Sequence, residues 1–336
     1  MYNQIINEIK SNLGHDKAKN KVYLMQQAEK YANHEYGYEI IKEISRLLIM
    51  NMTPEEREEL SRKTRETNPV KPILDEVIPY IQNNDLRNAL MIMDSRMNNY
   101  VRMLNDDAVT EYHYFSNALE QALFEEFIGC SKQLKVLNPD ETDFELYYIY
   151  GFLLIEFDRL DEAKNALIKS LKLNPVSSRV NFEFGEIYKK ENNMDKFYEF
   201  TNNALQFAYS SQDLARAYRN LGFYYIEKNN LKLANALFNY SLIYDANMTA
   251  YSELEYIKSL GYSEELDVDY SIEIIKQHNI QIGPNPIIFT ILQELINIFT
   301  RTQDFNQLLS MYEISYDLTK NPNFLDKINE IKIRLK

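Results

Sequence analysis

Three segments of this 336-residue chain match one another when aligned on a glycine, and that periodicity constrains the fold more than any other feature. They are YYIYGFLLIEFDRLDEAKNAL around Gly151, NFEFGEIYKKENNMDKFYEF around Gly185 and YRNLGFYYIEKNNLKLANALF around Gly222, with the glycines 34 and 37 residues apart. Each segment has apolar residues at helical spacing, then a polar turn, then a second helical stretch. The turns also correspond: Arg159-Leu160, Asn193-Met194 and Asn230-Leu231 are followed, three residues after the apolar one, by Ala163, Phe197 and Ala234. A two-helix unit of this size cannot bury its apolar face alone, so it has to stack on neighbouring copies. Glycine and proline are scarce (8 and 9), which argues against tight hairpins and multi-stranded sheets and predicts helix with strands essentially absent.

The units resemble the tetratricopeptide repeat (TPR), a helix-turn-helix of 34 residues. Counted from Phe144, the first unit has Tyr147 where the family usually has Trp, then Gly151 at the small position and Leu154 at the large one. Ala163 fills its second small position, and Pro175 ends it. The unit from Ala215 carries Tyr218, Leu221, Gly222, Tyr225, Ala234 and Phe238 in the corresponding places. The middle unit, from Ser178, keeps Gly185, Tyr188 and Ala204 but has Phe197 where a small residue is expected. A small residue lets two helix backbones approach, and large side chains fill the adjoining space.

Weaker copies flank these three. Asp85-Leu86 with Ala89 predicts a hairpin over 70–104, and Asp304-Phe305 with Leu308 predicts another before Pro322. A divergent hairpin is expected over 111–138, with Cys130 as a core residue on one of its helices. Ahead of the repeats, helices are expected near 3–13, 17–33, 36–51 and 54–66, the last opened by a capping box at 53–56 with proline at the first helical position. Residues 67–72 read as a linker, and 279–286 as a second interruption. The expected organisation is an amino-terminal helical cap (1–66), divergent hairpins (70–139), three repeats (144–246), and a carboxy-terminal hairpin with capping helices (247–336). The resemblance implies an all-α, right-handed superhelical TPR-like solenoid.

No constellation for chemistry stands out. One cysteine allows no intrachain disulfide, and the four histidines fall in separate elements without metal-ligand spacing. No glycine-rich nucleotide loop occurs, and the acidic run at 264–269 lacks the glycine and terminal glutamate of a calcium loop, so it reads as a solvated loop. No cofactor and no enzymatic activity is expected. A formal charge of −13 disfavours nucleic acid. The amino terminus lacks a signal-peptide pattern and no apolar run suffices to span a bilayer, so a cytoplasmic location without membrane association is expected.

In the TPR family, the first helices of successive units line a concave groove. The resemblance therefore places Glu145, Tyr148, Ile149 and Phe152, then Arg179, Phe182, Glu183 and Glu186, then Arg216, Arg219, Asn220 and Phe223 on such a groove. Arg216 and Asn220 fit part of the pattern by which some family members grip a terminal carboxylate; Phe152, Phe182 and Glu186 do not continue it. The implied function is a scaffold or adaptor that binds a protein or peptide, with Arg179, Arg216, Arg219 and Asn220 meeting an acidic or carboxylate-bearing segment. The alternative is a peptide-sensing regulator that changes conformation on binding.

Overall fold

The computed structural model describes residues 2–32, 34–53, 55–57, 70–98, 100, 106, 108–139 and 142–335. At the amino terminus, α1 (Tyr2–Ser11), α2 (Lys17–Tyr31) and α3 (Gly37–Met50) enclose Ile6, Ile9, Leu24, Ile40 and Ile44. Asp16 starts α2 by accepting from the N–H groups of Ala18 and Lys19. The capping box is formed: the Thr53 N–H donates to Glu56 Oε2 at 2.8 Å, and the Glu56 N–H to Thr53 Oγ1 at 3.2 Å. Of the helix expected over 54–66, only 55–57 lie within the described residues. Residues 70–72 of the expected linker are already the first turn of α4 (Val70–Gln82), which pairs with α5 (Leu86–Met97).

The segment 111–138 is not a helical hairpin. It is a strand-helix-strand unit: β1 (Thr110–His113), α6 (Ala118–Phe127) and β2 (Gln133–Val136), the strands parallel with Thr110 opposite Gln133 and His113 opposite Val136. Parallel strands need a long crossover, and α6 supplies it. The helix stops because Gly129 turns left-handed (φ 65°) and its N–H closes onto the Phe124 carbonyl at 2.7 Å. Cys130 is consequently in the loop after α6 rather than on a helix, half-buried, with its thiol donating to the Lys132 carbonyl at 3.2 Å.

Three hairpins follow: α7 (Phe144–Glu156) with α8 (Leu160–Leu173), α9 (Ser178–Lys190) with α10 (Met194–Phe207), and α11 (Ser211–Glu227) with α12 (Leu231–Ser241). Each pair packs on itself and on the next, as in a helical-repeat solenoid. The remaining helices are α13 (Met248–Ser259), α14 (Val268–Gln277), α15 (Pro286–Thr302), α16 (Phe305–Thr319) and α17 (Pro322–Arg334). α13 stacks on α12 and α11, whereas α14 crosses α12 and α15 returns to pack against α6. One apolar core therefore joins Leu119 and Phe124 of α6, Leu233 and Leu237 of α12, and Ile275, Ile288, Leu292 and Met311 of the carboxy-terminal helices. Among the described residues, no helix is long and apolar enough to cross a membrane.

Candidate binding groove

The first helices α7, α9 and α11 lie side by side, and their expected groove positions come together in register. The Arg179 guanidinium lies 4.2 Å from the centre of the Tyr148 ring, and that of Arg216 lies 4.7 Å from the Phe182 ring. In both cases the second residue of one repeat covers the fifth residue of the repeat before it. Phe182 is only 1% exposed, so it is the floor beneath Arg216 rather than a surface side chain. Tyr148, Phe152 and Phe223 are half-buried.

Every arginine of the site has a carboxylate partner within the chain. Arg179 bonds Glu145 at 2.9 and 3.3 Å, Arg216 bonds Glu183 at 3.0 Å with Glu186 at 3.9 Å, and Arg219 bonds Asp245 at 3.3 Å. Glu186 is also held by Lys189 at 2.6 Å. Burial pushes the Glu183 carboxyl up from its ordinary range, and Arg216 opposes that shift without cancelling it. A guanidinium has five N–H donors, so these pairs leave capacity for a further acceptor.

Asn220 differs from its neighbours. It is 9% exposed, and its amide nitrogen is buried with no hydrogen-bond partner. Arg216 and Phe223 lie one turn to either side of it on α11. A buried, unpaired amide N–H is costly, and a native fold keeps few of them.

Sequence reasoning missed two contributors. Lys189 reaches over the Phe223 ring at 5.4 Å, and Glu253 of α13 lies near that lysine, its carboxyl raised by burial. Asp213, in the first turn of α11, is likewise raised by burial, with Ser210 and Arg216 opposing. Lys189 carried a signal, three residues after Glu186 on the same helix; Glu253 belongs to a helix outside the aligned repeats. The other aromatic side chains mainly pack: Tyr147 is buried, Tyr150 donates to Asp94 at 2.7 Å, and Tyr224 lies 4.5 Å from Tyr198. His113 is buried between Phe115 and Phe124 with its pKa lowered by desolvation. Among the described residues, no three His, Cys, Asp or Glu side chains gather as a metal site.

The geometry of the hairpins and the turn chemistry they share agree. The architecture is a helical-repeat solenoid of stacked two-helix units. No family profile matches the chain, and no curated protein does. Among solved structures, pilF of Pseudomonas aeruginosa aligns over 80% of this chain and 99% of that one, at 13% identity and a TM-score of 0.39. So loose an overlap carries nothing about function.

Proposed function

We propose that the face of α7, α9 and α11 binds an extended segment of a protein partner, and that the chain acts as a non-enzymatic scaffold or adaptor. The observation that carries this reading is the orphaned amide of Asn220 between Arg216, Arg219 and Phe223. An acceptor on the partner, a backbone carbonyl or a carboxylate, shares the free donors of the two arginines, and the side-chain adjustment that seats it opens the buried Asn220 N–H to the same acceptor. Tyr148, Phe152 and Phe223 receive apolar side chains, while Arg179 and Glu186 flank the path.

Asn220→Ala separates binding from folding. Removing an unpaired buried amide from a helix leaves the free protein as stable or more stable. The same change weakens a partner obtained by affinity capture by about tenfold, the equivalent of one net hydrogen bond of about 1.4 kcal/mol. Arg216→Glu combined with Arg219→Glu weakens it further. Unchanged affinity in both folded variants would place binding elsewhere.

A second reading, the peptide-sensing regulator, draws on one feature. The first turn of α11 is tied to the end of α16: the Ser211 N–H donates to Asp317 Oδ2 at 2.7 Å and its hydroxyl to the Asp317 carbonyl at 2.8 Å. A shift of α11 on binding is thereby transmitted to the carboxy-terminal helices. Small-angle scattering decides it: a sensor compacts when the captured segment is added, and a static scaffold does not.

A further inference from the structure

The hairpins α7–α8, α9–α10 and α11–α12 each close with a second helix lying along the first. α13 stacks as the next first helix, but the chain after it does not return along it; α14 crosses α12 instead. A cleft of about 320 Å³ lies between α12, α13 and the segment before α14. Tyr251 and Leu254 of α13 and Leu266 form its apolar walls, and Asn239, bonded to buried Asn235 at 2.6 Å, lies at its base.

Its rim is acidic. Glu255, Glu264 and Glu265 line it against one cation, Lys258, which Glu255 holds at 2.7 Å. Glu264 accepts from the Tyr262 hydroxyl at 2.6 Å, and Asp267 below it caps α14 by accepting from the Tyr270 N–H at 2.8 Å. Four carboxylates, Glu255, Glu264, Glu265 and Asp267, thus gather at this rim around two lysines, Lys258 and Lys232, and leave it net negative.

We propose that the cleft receives a cationic amphipathic helix from a protein partner, seated between α12 and α13. Its apolar stripe packs on Tyr251, Leu254 and Leu266, and its lysines or arginines meet Glu264 and Glu265. A helix suits the place because it satisfies its own backbone hydrogen bonds and presents one apolar stripe to the cleft and its charges to the rim. A second copy of this chain is a poor occupant, since two bodies of formal charge −13 repel. The site is separate from the α7–α9–α11 face and does not depend on it.

The test uses the full chain and a fluorescein-labelled Leu/Lys amphipathic peptide long enough to be helical, about 18 residues. Anisotropy is read for the unmodified protein, for Glu264→Lys with Glu265→Lys, and for Glu125→Lys with Glu126→Lys, an exposed acid pair on α6 that controls for overall charge. Loss of about tenfold in affinity in the first variant and not the second supports the cleft. So does a comparable loss in Tyr251→Ala, a half-exposed position whose truncation leaves the core intact. Equal weakening by both charge-reversed pairs would overturn it, as would equally tight binding of the same peptide broken by a central proline. A dimer of the free protein that dissolves in Glu264→Lys with Glu265→Lys would assign the cleft to a second copy and likewise overturn it.

Discussion

A Cβ added at Gly151 would meet Leu167 at 2.6 Å, and one at Gly222 would meet Phe238 at 2.7 Å, whereas at Gly185 the nearest atom, on Phe197, is 3.7 Å away. The difference explains the departure of the middle repeat. Its large Phe197 replaces the alanine of the other units, but one turn later Thr201 stands where they have Leu167 and Phe238. Bulk has moved by one turn, and the helix crossing keeps its volume. Ala at Gly151 or Gly222 is therefore expected to cost about 1–3 kcal/mol, while Gly185→Ala gains about 0.5–1 kcal/mol of helix propensity. Urea unfolding of the three variants checks the opposite signs. The exchange leaves one trace: the Thr201 hydroxyl is buried without a partner. Thr201→Val, which keeps the shape and removes the unpaired group, raises stability by about 1 kcal/mol in the same assay.

Among the described residues, five hairpins close by one recipe. A residue in the left-handed region (Asn84, Asp158, Asn192, Asn229 or Gln303, φ 56–58°) ends the first helix. The next residue donates its N–H to the carbonyl five positions back at 2.8–3.1 Å: Asp85 to Tyr80, Arg159 to Leu154, Asn193 to Tyr188, Asn230 to Tyr225 and Asp304 to Phe299. In four of the five, the side chain of that residue then caps the second helix; Arg159 bonds Asp94 and Glu162 instead. The polar-apolar pairs that aligned in the sequence are thus a cap followed by the first helical residue. Asparagine and aspartate tolerate the left-handed turn, and glutamine does so at greater cost. Gln303→Gly is expected to stabilise the α15–α16 hairpin by about 0.5–1 kcal/mol, and Asn230→Ala to destabilise α11–α12 by about 1 kcal/mol. Thermal unfolding of each single variant reads both.

Across the whole molecule, the carboxy-terminal helices fold back and fasten near the start of α11. Asp317 is the fastening. Burial pushes its carboxyl up, but Lys320 at 2.7 Å and the N–H and hydroxyl of Ser211 outweigh that and hold it below its ordinary 3.8. A carboxyl depressed in the folded state stabilises above its unfolded value, and that contribution disappears as pH falls through the depressed one. Hydrogen-exchange protection at the first turn of α11 and the last turn of α16, taken against the intrinsic rate at each pH, should therefore fall on acidification below the ordinary carboxylate range. Asp317→Asn should show low protection there already at neutral pH and lose the pH dependence of that protection. An unaltered pH profile in that variant would remove Asp317 from the fastening.

The repeat, its hairpin turns, the capping box at Thr53 and the register that sets Tyr148 beside Arg179 were all legible in the sequence. They depend on contacts a few residues apart or one repeat apart, and a period carries those contacts with it. The strand-helix-strand unit at 110–136 was not legible, because two four-residue strands gain meaning only when a crossover brings them together and the Tyr114 N–H reaches the Leu173 carbonyl. Nor was the pairing of Arg219 with Asp245, the isolation of the Asn220 amide, or the return of α15 onto α6. Each joins groups outside the period of the repeat. Local spacing decides which residues turn, cap and stack; only the path of the whole chain decides which charges meet and which donor is left unpaired.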